Sequence, residues 1–246
     1  MDQYLHESAK ILHAPQTGKV VQLLEAHPAP VSRVSTPKLI GGSFGSALEW
    51  FATCASDGSV ASWRSNHSED SAGQVPFVLS GVSRIHAGCA GALATCDVNG
   101  AKLVATAGKD SRLAISCVPS LVSETAAAST LPVVVCDVRL RALDLAESLD
   151  FFPLPGCGTT CLSASIFDRA AAHAMNSPPA EAGAWPSAWA STGLGLAAGT
   201  VSGALQILVL EMATADGDPG AAPIFRIRLA LSLPSRRTSL RSVAVS

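Results

Sequence analysis

A short pattern that recurs along the chain constrains its fold more than any other feature. Residues 51–64 read FATCASDGSVASWR, in which a polar turn separates two apolar runs. The pattern predicts two strands, Phe51–Ala55 and Ser59–Trp63, joined by a tight turn at which Gly58 supplies the backbone freedom. A strand signal follows His27, and another lies at residues 76–82. The unit therefore contains four strands. A four-stranded unit of this kind is typical of a sequence repeat, so further copies are expected in the chain.

A second copy of the pattern occupies residues 86–117, in which His86, Thr106 and Asp110 follow the order of His27, Thr53 and Asp57. A weaker copy spans residues 194–211, where Ala198 and Ser202 take the Thr and Asp positions and Gly203 matches Gly58. Residues 239–246 begin a further copy, and residues 10–27 fit the last two strands of a preceding unit. The sequence therefore predicts a repeat architecture.

These repeats resemble those of the WD-repeat β-propeller family, whose unit runs from Gly-His through Ser or Thr and an Asp-Gly turn to Trp-Asp. Ala26-His27 stands for Gly-His, and Trp63-Arg64 stands for Trp-Asp. The resemblance implies an all-β propeller with about three to four blades of four antiparallel strands. About 15 strands are too few for the larger rings of this family, so we expect an incomplete propeller.

The resemblance also implies a structural network, with His27, Thr53, Asp57 and Trp63 in the first unit and His86, Thr106 and Asp110 in the second. The indole donates to the threonine hydroxyl, the hydroxyl bonds to the imidazole, and the second imidazole nitrogen reaches the carboxylate. Ser116 replaces the tryptophan in the second unit. We therefore expect Asp110 to contribute less to stability than Asp57.

Catalytic and metal-binding alternatives have weaker support. Ser56, His27 and Asp57 contain the groups of a hydrolase triad, but no Gly-x-Ser-x-Gly elbow surrounds Ser56. The seven cysteines contain no CxxC pair, which favours reduced thiols over disulfides or a zinc site. We expect no enzyme activity, no catalytic residue, no cofactor and no metal. The N-terminus has no secretory signal pattern, so we expect a cytoplasmic or nuclear protein.

A membrane span is the main alternative to strands in the C-terminal half. Residues 182–210 carry no charge, and Gly195, Gly199 and Gly203 have the spacing of helix-dimer motifs. The Gly-Thr-Val-Ser-Gly stretch is typical of a turn, however, and the segment aligns with the two earlier hairpins. We therefore favour strands, with a membrane-associated protein using residues 193–210 as the alternative.

The run TTCLSASIF, residues 159–167, predicts the first strand of the third unit, followed by a loop insertion at residues 168–193. Trp185 and Trp189 in this insertion are candidate partner-binding residues, because aromatic side chains dominate binding hot spots. The alternative is that both side chains pack on the blade flank.

The charge distribution gives little reason to expect nucleic acid, since the formal net charge is -2. Arg226 and Arg228 alternate with apolar residues, a pattern typical of the solvent face of an outer strand. The sequence as a whole predicts a single partial propeller domain over residues 1–246. It favours a non-enzymatic scaffold that binds other proteins, is a subunit of a larger complex and has no small-molecule substrate. A longer chain, a partner or a second copy would supply the missing strands.

Overall fold

The computed structural model describes residues 9–13, 20–40, 49–65, 77–118, 132–139, 146–155, 162, 164–176, 189–213 and 223–234. The first seven strands are β1 (Ala9–His13), β2 (Val20–Glu25), β3 (Val31–Ser35), β4 (Lys38–Ile40), β5 (Trp50–Ala55), β6 (Ser59–Ser65) and β7 (Phe77–Arg84). The next five are β8 (Ala90–Val98), β9 (Ala101–Gly108), β10 (Arg112–Val118), β11 (Val133–Arg139) and β12 (Ala146–Pro153). The helix α1 (Ala164–Asn176) precedes β13 (Ala190–Thr200), β14 (Leu205–Ala213) and β15 (Ile224–Leu233).

The strands form three blades, each with four antiparallel strands that pair in chain order. The first blade contains β3, β5, β6 and β7, the second contains β8 to β11, and the third contains β12 to β15. Strands β1 and β2 form a separate antiparallel pair. Repeated four-stranded sheets of this kind are propeller blades. The chain therefore has the all-β fold of an incomplete WD-repeat-like propeller that the sequence predicts.

Three apolar clusters hold neighbouring sheets together. The β1–β2 pair meets the first blade through Leu24, Phe51, Ala61 and Trp63. The first and second blades share a cluster that includes Trp50, Val60, Ile85, Leu93 and Val104. The largest cluster joins the second and third blades and includes Leu103, Ile115, Phe151, Phe167, Leu196 and Phe225. Removal of these side chains from water provides the main stabilisation of the stacked blades.

Strand β4 departs from a simple succession of blades. It follows β3 in the chain but pairs in parallel with β8 of the second blade. The Lys38 ammonium lies 3.3 Å from the Asp150 carboxylate on β12 of the third blade. The segment after β3 therefore connects all three blades.

The third blade begins earlier than the sequence predicts. Its first strand is β12, and residues 164–167 of the TTCLSASIF run form the first turn of α1, so the strand prediction was wrong for those residues. Residues 159–161 and 163 lie outside the described residues. Alanine-rich sequence favours helix, and the buried positions Phe167, Ala170 and Ala171 lie on one helical face. The Phe167 ring stacks on the Phe225 ring with centroids 4.7 Å apart. The packing of this buried face stabilises α1 between the second and third blades.

The predicted insertion at residues 168–193 therefore begins in α1 and ends in β13, and residues 177–188 lie outside the described residues. Residues 239–246, predicted as a strand, also lie outside them.

The uncharged segment at residues 193–210 forms parts of β13 and β14 with a turn between them, as the repeat pattern predicts. Across the described ranges, no helix has the length and apolar character to span a membrane.

Candidate functional site

The first blade brings together the four network residues that the sequence predicts, together with one that it does not. The Trp63 Nε1 donates to the Thr53 Oγ1 at 3.0 Å, and that oxygen lies 2.7 Å from the His27 Nε2. The His27 Nδ1 meets the hydroxyl of Ser59 at 2.6 Å. The Ser59 hydroxyl then donates to the Asp57 Oδ1 at 2.6 Å. The imidazole therefore reaches the carboxylate through a serine and not directly.

The two ends of this chain of contacts determine the tautomer of His27. A carboxylate only accepts, so the hydroxyl proton of Ser59 goes to Asp57, and the Ser59 oxygen accepts from the His27 Nδ1–H. In a neutral imidazole the Nε2 is then an acceptor, and Thr53 donates to it. The Thr53 oxygen still has a lone pair for the indole of Trp63. Each polar group in the chain is thus satisfied with His27 neutral.

The second blade contains a shorter version of the same arrangement. The His86 Nδ1 lies 3.0 Å from the Asp110 Oδ1, and the His86 Nε2 lies 2.9 Å from the Thr106 Oγ1. The same carboxylate accepts from the main-chain amides of Ala87 at 3.0 Å and Arg112 at 3.2 Å. Asp110 therefore contacts the imidazole directly and also caps two main-chain amides.

The position of the missing tryptophan is buried and polar. Ser116 is 0% exposed, and its hydroxyl oxygen has no hydrogen-bond partner among the residues that the structure describes. The Thr106 hydroxyl, which corresponds to Thr53, accordingly receives no indole donor.

Burial controls the protonation of both histidines. Desolvation lowers the pKa of His27 and of His86 below 6.5, and the nearby carboxylates only partly oppose it. Burial by itself raises the pKa of the Asp57 carboxyl, but its hydrogen bonds from Ser59 outweigh that effect and hold the pKa below its usual value. Burial and hydrogen bonding combine in the same way at Asp110, where the pKa is also lowered. Neutral imidazoles therefore face ionised carboxylates near pH 7.

The hairpin turns of the three blades share one backbone geometry. Main-chain amides at Gly58, Ser111 and Gly203 donate to carbonyl oxygens at Ala55, Gly108 and Thr200, at 3.1, 3.1 and 2.9 Å. The φ angles at the three donor residues are 85°, 61° and 84°. The turns are therefore equivalent, as the alignment of the repeats predicts.

The third blade stabilises its turn with different side chains. The Thr200 hydroxyl accepts from the amide of Ala204 at 3.0 Å and lies 2.9 Å from the Ser202 hydroxyl. Thr200 takes over the capping role that Asp57 has in the first blade. The alignment of the repeats predicts Ser202 at the aspartate position, but it does not predict the capping role of Thr200.

Trp189, one of the two predicted partner-binding residues, lies immediately before β13. The Arg226 guanidinium lies over its ring at 4.1 Å from the centroid. The buried Glu211 carboxylate accepts from the Nε atoms of Arg226 at 2.6 Å and Arg228 at 2.5 Å. The two arginines, interpreted from the sequence as a solvated edge, are therefore paired with a carboxylate. Trp185 lies outside the described residues.

A cavity of about 310 Å³ opens at the end of the blades where the hairpin turns lie. Side chains from all three blades line it, among them Arg33, Lys109, Glu147 and Val201. Arg33 belongs to β3, Lys109 follows β9, and Glu147 belongs to β12. The volume is at the lower end of the range for ligand pockets, about 300–1,000 Å³. Sequence reasoning missed this site, because the cavity depends on how separate blades are placed together.

Three charged side chains, two cationic and one anionic, line the cavity. Arg33 and Lys109 are exposed, and in the described part of the chain neither forms an ion pair. The Arg33 guanidinium donates to the carbonyl oxygen of its neighbour Ser32, at 3.2 Å. The Glu147 Oε2 is buried, and none of the described residues forms a hydrogen bond with it. These unpaired charges can bind a partner without first breaking an existing ion pair.

The described residues contain no group of three or more His, Cys, Asp or Glu side chains that could hold a metal ion. Burial raises the pKa of the Cys54 thiol to about 11, and it also raises the pKa values of Cys96 and Cys117. These thiols are therefore protonated near pH 7 and are poor nucleophiles or metal ligands.

Comparison with known proteins gave similarity in structure only. No protein-family model matches the chain, and no curated protein matches it. Hsv2 of Kluyveromyces lactis matches with 12% identity and a TM-score of 0.46 over 90% of this chain and 53% of that one. Sqt1 of Saccharomyces cerevisiae matches with 9% identity and a TM-score of 0.41 over 85% of this chain and 36% of that one.

A chain in the mitotic checkpoint complex matches with 9% identity and a TM-score of 0.38, over 96% of this chain and 63% of that one. This chain spans about half the length of the Hsv2 structures it matches. The four-stranded blades and the contacts of His27, Thr53 and Trp63 identify the WD-repeat-like propeller fold on their own.

Proposed function

We propose that this chain is a non-enzymatic protein-interaction scaffold of the WD-repeat type and acts as a subunit of a larger complex. The observation that carries this proposal is the cavity at the turn end of the blades. Arg33, Lys109 and Glu147 approach it from three different blades, and within the described part of the chain none of them forms an ion pair. A rigid set of blades that presents unpaired charges at one face suits the capture of a partner protein.

The contacts of the candidate triad support the non-enzymatic part of the proposal. Both ring nitrogens of His27 are bonded, one to Thr53 and one to Ser59. The ring therefore has no nitrogen left to act as a base for Ser56, whose side chain is exposed. The buried, protonated thiols support a reducing compartment, and we propose the cytoplasm or the nucleus.

The proposal also includes strands supplied by a partner or by a second copy. Val34 on β3 is 47% exposed and Leu39 on β4 is 38% exposed, although strands at the start of a blade line the centre of a propeller. Added strands would cover these side chains. Size-exclusion chromatography with light scattering tests this part: a stable monomer with cooperative melting would contradict it.

Capture of partners from native extract, followed by mass spectrometry, tests the main proposal. The bait is the full tagged chain, compared with the double variant Arg33→Glu/Lys109→Glu. We expect the double variant to lose partner proteins that the unchanged chain captures. The matched control is Arg64→Glu, an exposed arginine on β6 outside the cavity. Equal capture by all three baits would show that the cavity is not the docking face.

Trp189 is a second candidate contact, because its ring is held in place by Arg226 and is only partly buried. Trp189→Ala in the same capture experiment distinguishes its two interpretations. Loss of partners with an unchanged melting temperature supports a binding role, whereas a lowered melting temperature with full capture assigns Trp189 to the blade flank.

A further inference from the structure

The residues that line the cavity at the turn end of the blades, and its volume, indicate what kind of group can bind there. Two cations and one carboxylate line it, together with main chain at Gly91 and Gly108. Its volume of about 310 Å³ has room for one or two side chains and not for a folded domain. The occupant is therefore an extended segment that inserts a side chain.

The cations determine the charge of that side chain. Arg33 and Lys109 are exposed and, across the described ranges, are not engaged by any carboxylate. Guanidinium and ammonium groups form their strongest hydrogen bonds with carboxylates and phosphates. The inserted group is therefore an anion.

The Glu147 carboxylate favours an acidic peptide over a nucleic acid as the occupant of the cavity. Its carboxylate lines the same cavity, and no described residue donates a hydrogen bond to its Oε2. A row of phosphates would bring further negative charge to this group and would offer it no donor. A peptide supplies main-chain N–H groups beside its acidic side chain, so it can satisfy Glu147 while its carboxylate meets Arg33 and Lys109.

Gly91 keeps the cavity open. A Cβ atom added at this position would meet nothing within 4 Å, so the space beside it is unfilled. The backbone there has no positive φ, and a side chain can be introduced without strain. Gly108 differs, because a Cβ there would lie 2.5 Å from the His86 Nδ1. Gly91 is thus a position at which the cavity can be blocked without disturbing the network.

We propose that this cavity binds an acidic peptide segment of a partner protein, with an Asp or Glu carboxylate held by Arg33 and Lys109 and a peptide N–H donated to Glu147. This inference rests on the proposed scaffold function and specifies the chemistry of its docking site. The exposed Val201 at the rim provides apolar contact for the methylene groups of the inserted side chain.

Fluorescence anisotropy on the full chain tests the inference, with fluorescein-labelled hexaglutamate as the probe at low ionic strength. We expect saturable binding that weakens by about tenfold or more in Arg33→Glu and in Lys109→Glu. Gly91→Leu should weaken binding to the same extent by filling the cavity, and Arg64→Glu should bind as the unchanged chain does. Thermal melts on each variant establish that the fold is retained, and Gly91→Ala replaces Gly91→Leu if the larger side chain lowers the melting temperature.

Three outcomes would overturn the inference. They are absence of hexaglutamate binding by the unchanged chain, equal binding by the cavity variants, and binding of labelled hexauridylate at least as tight as that of hexaglutamate. Failure of this experiment while partner capture persists removes only the acidic-peptide assignment. Failure of partner capture itself removes the proposed scaffold function.

Discussion

The main-chain amide of His86 donates a hydrogen bond to the carbonyl oxygen of Gly58 at 3.2 Å. The amide of Ile85 donates to the same carbonyl at 3.1 Å. The hairpin turn of the first blade is thereby bonded to the segment that leads into the second blade. Because His86 also belongs to the second-blade network, the networks of two neighbouring blades are connected through one turn.

Gly58→Ala should strongly destabilise the chain. The φ of Gly58 is 85°, and a Cβ there would lie 2.2 Å from the carbonyl oxygen of His86. The left-handed conformation alone costs a non-glycine residue about 1–2 kcal/mol, and the clash adds to it, so we expect a loss of about 2–4 kcal/mol in the free energy of unfolding. Urea unfolding measures it. A loss below about 0.5 kcal/mol would contradict the close approach of the two segments.

Ser111→Gly should stabilise the chain. Ser111 occupies the position of Gly58 in the second blade and has a φ of 61°. Glycine relieves the left-handed strain but increases the entropy of the unfolded chain, and the balance is a gain of about 0.5–1 kcal/mol. Urea unfolding, run beside Gly58→Ala, checks the sign. Destabilisation would mean that the serine side chain contributes more than its backbone strain costs.

The repeat hairpins could be predicted from the sequence because their signal is local. The Ser-Asp-Gly turn and the apolar runs beside it specify the geometry at Gly58 without help from distant residues. The equivalence of Gly203 followed from the same pattern despite the loss of the His and Asp positions. The prediction succeeded where turn chemistry and strand patterning agree.

Features that depend on tertiary packing could not be predicted in this way. Ser59 lies between His27 and Asp57 because of the geometry of the turn, and spacing alone does not distinguish a direct contact from a relayed one. Residues 164–167, the end of a strand-like run, form helix because the Phe167 ring stacks on Phe225 of a distant strand. The charged lining of the cavity could not be predicted from the sequence, because Arg33 and Glu147 come to one site only after three blades have packed.

Asp110→Ala should destabilise the chain more than Asp57→Ala, which reverses the order that the missing tryptophan suggests. Asp110 accepts directly from His86 and from two main-chain amides. Asp57 accepts from the hydroxyl and the amide of Ser59, and it reaches the imidazole of His27 only through that hydroxyl. We expect losses of about 2–3 kcal/mol for Asp110→Ala and about 1–2 kcal/mol for Asp57→Ala. Urea unfolding of the two variants decides the order, and equal losses would show that the direct imidazole contact adds nothing.

Ser116→Ala should leave stability unchanged or increase it by about 1 kcal/mol. The buried hydroxyl has no partner in the described part of the chain, so its removal relieves an uncompensated desolvation cost. Thr106→Ala is the comparison, since its hydroxyl bonds to His86 and its loss should destabilise. Differential scanning calorimetry of both variants provides the test. A clear loss of stability in Ser116→Ala would indicate that the hydroxyl has a partner in solution.

The stability of the chain should fall as the pH drops below 6.5. Burial lowers the pKa of His27 and of His86 in the folded state, so between the folded pKa and 6.5 the unfolded chain binds protons that the folded chain does not. The histidine contribution is therefore complete above pH 6.5 and is lost as the pH falls toward the folded pKa.

The lowered pKa values of Asp57 and Asp110 stabilise the folded chain above their ordinary value of 3.8, so these carboxyls do not alter the slope in this window. Urea unfolding at several pH values between about 7.5 and 5.5 measures how the free energy of unfolding changes with pH. The variant His27→Gln, which cannot titrate, should show a shallower slope than the unchanged chain. An unfolding free energy that stays constant, or rises, as the pH is lowered across this window would mean that the imidazoles bind protons equally well in the folded blades.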